Sequence, residues 1–136
     1  MSEENVEIVR RAFADLGPYP ARVEEGALDR LTAPDIEIDV SAVYPDAPVF
    51  QGLEAWRDFM GSLPWGGSLK LEPEQYFDVD DERVLVFMRV TAEGEGSGVP
   101  VEMRNAHEFR IRDGLCVAWK VYADRTEALE AAGLSD

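Results

Sequence analysis

The sequence predicts an α+β fold: a cone-shaped, strongly curved antiparallel or mixed sheet with three helices packed on its concave face. Three observations carry this. Helical patterns come early in the chain and long strand patterns late, the segregated order of layered α+β folds. The late strands are long, and long strands twist strongly. Residues 101–123 form an extended segment folded once on itself. A curved sheet closed on one side by helices tends to keep a cavity at its open end.

Residues 101–123 read VEMRNAHEFRI, then RDG, then LCVAWKVYA. Alternation puts Val101, Met103, Asn105, His107, Phe109 and Ile111 on one face and Glu102, Arg104, Ala106, Glu108, Arg110 and Arg112 on the other. Asp113-Gly114 signals a hairpin turn. A two-residue loop there pairs Arg112 with Leu115 and Glu108 with Trp119, which mixes charge with large apolar groups. A three-residue loop over 112–114, with Gly114 left-handed, pairs Ile111 with Leu115, Phe109 with Val117, His107 with Trp119 and Asn105 with Val121. That register makes one face apolar except for Asn105 and His107. A one-residue slip flips every side chain, so burial of one face favours the three-residue loop.

The other elements follow in order. Residues 4–16 form a helix with Val6, Val9, Phe13 and Leu16 in one stripe, stopped by Gly17-Pro18. A short second helix is expected over 24–31, with Leu28 and Leu31 inward and Pro34 ending it. Residues 35–40 are a strand with Ile36, Ile38 and Val40 on one side and Glu37 and Asp39 on the other. A loop with Pro45 and Pro48 leads to a short strand at 49–51. Residues 53–63 form a helix that buries Leu53, Trp56, Phe59, Met60 and Leu63. Strands are expected over 69–79 and 83–92, the second with Arg89 set in the apolar run VLVFMRV. A last helix over 125–132 ends at Gly133.

Composition bounds the function. A chain of 136 residues is one domain, 1–136, with a real core. Thirteen basic against 28 acidic side chains give a net charge of −15. That disfavours nucleic acid and anionic membrane surfaces as partners. One cysteine and one histidine allow no internal disulfide and no ordinary zinc site. No apolar run is long enough for a membrane span, and the start MSEENVEIVRR does not read as a signal peptide. A cytoplasmic location is the expectation. The glycine-rich GEGSG lies between two strands, so no phosphate-binding loop and no cofactor is implied.

With these elements in place, ENVEIVRRAF, IEIDV, QGLEAWRDFM and NAHEFRIRDGLCVAWKVYADRTEAL resemble the nuclear transport factor 2-like superfamily, and within it the SnoaL-like branch, over nearly the whole chain. The resemblance implies a cystatin-like α+β barrel and a homodimer. The fold hosts ketosteroid isomerases, polyketide cyclases, dehydratases, epoxide hydrolases and binding modules, so it does not settle function. Ketosteroid isomerases keep a base at the end of the first strand, which falls here at Asp39 or Val40. Their protonated aspartate on the long strand before the hairpin turn is similar in position to His107. Their first-helix tyrosine is absent, and Tyr19 lies just after that helix. The acid that SnoaL-type cyclases carry on the last strand has no match in residues 119–122. The Asp-Arg-Asp set of limonene-epoxide hydrolases would draw on Arg89 or Arg104.

The candidate catalytic residues are therefore His107 and Asp39. Imidazole titrates near neutrality and suits general acid–base work. The plainer reading is a core histidine bonded to Asn105, Tyr44 or a backbone carbonyl. Asp39 serves as a base only if a bulge at Val40-Ser41 turns it inward; simple alternation puts it outside. Glu37 is the other carboxylate considered. Arg89 is either an anion clamp in the cavity or a cross-strand partner of Glu102 or Glu108. Asn105, Trp119, Trp56, Tyr44 and Phe59 are expected to line the ligand cavity, with Trp65 as a gate or an interface residue. No metal is expected. Ala106, Cys116, Ala118 and Tyr122 mix with Arg104, Glu108, Arg110 and Lys120 on the other face, which suits a homodimer interface. The leading function is binding of a small, largely apolar organic molecule, with isomerase-, cyclase- or dehydratase-type chemistry at His107 as its extension. The alternative is a non-catalytic dimeric binding or interaction module.

Overall fold

The computed structural model describes residues 2–23, 26–65 and 67–134. Helix α1, Ser2–Leu16, forms where the apolar spacing calls for it. Val9 is buried, and Val6, Ile8 and Phe13 pack beside it on the sheet. The helix closes on Gly17, whose positive φ of 77° and N–H bond to Phe13 O at 3.0 Å make a glycine C-cap. A single 3-10 turn follows at Pro20–Arg22.

The expected helix over 24–31 does not form in its described part. Residues 26–31 are turns, and Glu24 and Glu25 lie outside the described residues. Strand β1, Thr32–Asp39, begins earlier than expected and runs through Pro34. Its parallel pairing with the final strand is irregular between Thr32 and Glu37, which tolerates a residue without an N–H. Strand β2, Phe50–Gln51, returns antiparallel against Glu37 and Ile38. Gly52 then starts helix α2, Leu53–Gly61, two residues shorter than expected. Its φ is 89°, and a Cβ there would stand 3.3 Å from Pro34 O, so only glycine fits easily.

The long strands are β3 (Lys70–Asp78), β4 (Arg83–Glu93), β5 (Pro100–Arg112) and β6 (Leu115–Tyr122), followed by helix α3, Arg125–Ala131. The six strands form one mixed sheet in the order β2-β1-β6-β5-β4-β3. Helices α1 and α2 cover its concave face. Helix α3 lies on the other face, where Ala128 packs on Leu85 and Ala106. Helices α1 and α2, with residues 20–23 and the turns of 26–31, close the concave side. This explains the apolar run in β4: Val84, Val86 and Met88 pack toward α1, while Leu85 faces α3. Asp124 caps α3 by accepting from Thr126 N at 2.7 Å.

The hairpin corrects the expected register. The turn has two residues, Asp113 and Gly114, both left-handed at φ 53° and 80°, and Arg112 pairs with Leu115. A bulge then leaves Val117 unpaired, because Ile111 pairs with Cys116 and Arg110 with Ala118. Beyond it, Phe109 faces Trp119 and His107 faces Val121. The bulge restores the parity that the three-residue loop was invoked to give. It also turns Cys116 to the concave side, against the expectation that it shares the outer face with Ala118.

Candidate functional site

Two chambers open on the concave face. One, about 140 Å³, lies between α1, the 20–31 segment and the sheet, walled by Phe13, Leu28, Phe109, Ile111 and Cys116. The other, about 160 Å³, lies under the 41–47 and 62–69 loops, with Tyr44, Trp65, Asn105 and His107 on its wall. Pro20, Trp56, Leu71 and Trp119 line both. Trp56 and Trp119 meet edge to face at 5.4 Å and form the waist between them. Each chamber alone is below the usual range for a small-molecule site; joined, they reach about its lower edge, ~300 Å³.

His107 and Asn105 sit on the concave face because alternation along β5 puts both there, 2% and 3% exposed. Trp119 Nε1 lies 3.0 Å from His107 Nδ1. An indole nitrogen can only donate, so Nδ1 holds a lone pair and the ring proton sits on Nε2. Nε2–H donates to Asn105 Oδ1 at 3.1 Å. The amide is oriented in turn: its Nδ2 is directed to the Met103 sulfur at 3.4 Å, at the open side of the chamber. Burial pushes the imidazole pKa down to about 3. His107 is therefore a neutral group with both nitrogens engaged.

Tyr44 bonds to Trp65, not to His107: Trp65 Nε1 donates to Tyr44 Oη at 3.0 Å, which ties the two loops over the chamber. Phe59 stands behind Tyr44 at 5.4 Å, edge on, and lines neither chamber. The indole nitrogen of Trp56 is buried and has no hydrogen-bond partner among the described residues.

Two candidates lie away from the cavity. Ile38 and Val40 are buried on the concave side, and Asp39 between them faces outward, opposite Lys120. The Ser41 hydroxyl and N–H donate to its carboxylate at 2.6 and 3.0 Å and hold its pKa below the usual carboxylate range, with Lys120 adding a smaller pull. Asp39 is not brought to His107, and no bulge turns it inward; Glu37 is likewise exposed. Arg89 belongs to the outer face, where it pairs with Glu72 at 3.3 Å and Glu102 at 3.2 Å. It is a cross-strand ion pair rather than an anion clamp in the cavity.

Sequence reasoning missed the α1 chamber, the inward Cys116 and the Trp119–His107 bond. The inward turn of Cys116 depends on the bulge at Val117. Burial pushes the Cys116 thiol up to about 12, so it is not a thiolate nucleophile. Among the described residues, neither chamber is lined by an ionised side chain. Among the described residues no group of His, Cys, Asp and Glu is arranged to hold a metal. No described helix is long and apolar enough to cross a membrane.

Comparison with known proteins agrees with this geometry. The chain is similar to Bal32a from a soil-derived mobile gene cassette, at 23% identity over 89% of each chain with a TM-score of 0.72. It is similar to TerC co-crystallised with polyporic acid, at 21% identity over 95% of this chain and 98% of that one, TM-score 0.68. A putative SnoaL-like polyketide cyclase from Jannaschia matches at 20% identity over 98% and 94%, TM-score 0.67. At these identities the likeness is one of fold. No curated protein matches. The SnoaL-like domain pattern matches residues 19–119, and the chain belongs to the SnoaL-like family.

Proposed function

We propose that this protein binds a small, largely apolar organic molecule in the joined chambers, with His107 as a neutral positioning group rather than an acid or base. One observation carries the reading: both imidazole nitrogens are engaged inside a cavity whose described lining holds no ionised side chain. A general base needs a free lone pair within reach of the proton it takes. Nδ1 gives its lone pair to Trp119, and Asp39 and Glu37 lie on the other side of the sheet. What the arrangement supplies is orientation, by holding the Asn105 amide with its N–H₂ toward the open side. The fold's record with small organic molecules, such as polyporic acid with TerC, supports this reading.

The test is a thermal-shift panel of neutral aromatic and terpenoid compounds at pH 7. A ligand present at 100 times its Kd raises stability by about 2.7 kcal/mol, an easily seen rise in Tm. A panel with no stabilising compound at saturating concentration contradicts the reading. Turnover of any hit that is lost in His107→Gln, with binding retained, would instead favour acid–base chemistry.

The proposal includes a homodimer through the outer sheet face. Helix α3 covers Ala106 and Tyr122, so the pairing surface is narrower than the sequence suggested and centres on Arg110, Ala118 and Lys120. Sedimentation at micromolar concentration tests it: a species of only 15.2 kDa removes the dimer.

A further inference from the structure

The polar groups of the cavity identify the class of ligand. Three side chains have spare hydrogen-bonding capacity there, and each offers a donor. Trp56 lines both chambers, and its Nε1–H is buried with no partner among the described residues. Tyr44 Oη accepts from Trp65, which leaves its own proton free. Asn105 Nδ2 has only a sulfur at 3.4 Å. The two side-chain acceptors of the polar chain, His107 Nδ1 and Asn105 Oδ1, are already used. A buried donor without a partner costs about 1–3 kcal/mol, so Trp56 Nε1 is a place where a ligand acceptor gains most. Charge is disfavoured in either sign, because among the described residues no counter-ion faces the chambers.

Building on the binding reading above, we infer that the two chambers hold one elongated, uncharged molecule with a carbonyl-type oxygen at the waist. Its apolar end fills the chamber beside α1, and its oxygen accepts from Trp56 Nε1–H. Neither chamber alone has the volume of a typical small-molecule site. Trp56 and Trp119 line both, so a ligand of ordinary size runs alongside the indole pair from one chamber into the other.

The experiment uses a matched pair of probes, 1-(naphthalen-2-yl)butan-1-one and 2-butylnaphthalene, which differ by one carbonyl oxygen. Each is titrated into the full chain, followed by tryptophan fluorescence and by the indole N–H resonances in a ¹H–¹⁵N spectrum. The ketone is expected to bind roughly tenfold more tightly, the equivalent of one buried hydrogen bond, and to move the Trp56 indole resonance downfield. Trp56→Phe, which keeps an aromatic ring, is expected to bring the two probes to equal affinity, whatever change both share from the smaller ring. Ala12→Phe, which fills the α1 chamber, is expected to weaken both probes at least tenfold. Equal binding of the two probes with an unmoved Trp56 resonance overturns the waist donor. Unchanged affinities in Ala12→Phe overturn the second compartment. Should Trp56→Phe fail to fold, the resonance shift in the unaltered protein still decides the matter. If neither probe binds, the inference fails, and the compound panel decides separately whether the cavity reading falls with it.

Discussion

The two faces of the sheet are opposites. Strand β4 shows this at adjacent positions: Met88 is fully buried on the concave side, and Arg89 on the outer side bridges Glu72 and Glu102. The same holds along β5, where Asn105 and His107 face the cavity and Arg104, Glu108 and Arg110 face away from it. A net charge of −15 therefore coexists with a cavity that no described ionised side chain lines. Strand alternation sorts charge out of the chambers, and the carboxylates that looked like catalytic candidates went with it. The polar chemistry left inside is a neutral chain: indole, imidazole, amide.

This contrast can be broken most severely by moving a charge across the sheet. Met88→Lys is expected to cost at least about 4 kcal/mol or to prevent folding, because an unpaired buried charge has no compensation. Arg89→Met one residue away is expected to change stability far less, since it removes half-exposed ion pairs. Urea denaturation of both variants checks the difference, and equal losses would contradict the assignment of faces.

The next effect is pH dependence. The folded pKa of His107 is depressed, to about 3 from 6.5. A group with a lowered folded pKa binds more protons when unfolded, so its contribution is present above the unfolded pKa and is lost as pH falls. Stability is expected to decline from about pH 6.5 toward pH 3, by up to roughly 5 kcal/mol over the full range. Between pH 6.5 and 5 this decline comes from the single histidine and is absent in His107→Gln. Denaturation midpoints at pH 7, 6 and 5 measure it; parallel curves for the two proteins would sink the idea.

Trp119→Phe keeps an aromatic ring but orphans His107 Nδ1. It is expected to cost about 1–3 kcal/mol for the unpaired buried acceptor and to raise the imidazole pKa. The smallest effect belongs to Asp39→Asn on the outer face. Ligand-induced Tm shifts are expected to stay as they are in the unaltered protein, and a loss of ligand stabilisation there would return Asp39 to the site.

Much of this was legible in the chain. The 3.6 spacing of Val6, Val9 and Phe13 located α1, and period 2 in 101–111 put Asn105 and His107 on the buried face. Local patterns report such features directly. The Val117 bulge was not legible, because a three-residue loop and a two-residue turn plus a bulge give His107, Phe109, Trp119 and Val121 the same parity. The partners of Arg89 and the outward turn of Asp39 depend on which face the helices cover. The α1 chamber depends on loops 17–31, where no periodicity exists, and an expected helix there proved to be turns. The site's chemistry changed most for this reason: His107 was a candidate acid–base by residue type and became a positioning group once Trp119 was found on its Nδ1.

That change is the centre of the account, and one measurement addresses it directly. A ¹⁵N spectrum of the single imidazole, recorded from pH 8 to pH 4.5, reports its tautomer and its titration. The account predicts one neutral species throughout, protonated on Nε2 and unprotonated on Nδ1, with no midpoint in that range. A midpoint near 6.5 with both nitrogens protonated below it, or a proton on Nδ1 at neutral pH, would contradict it and return His107 to acid–base chemistry.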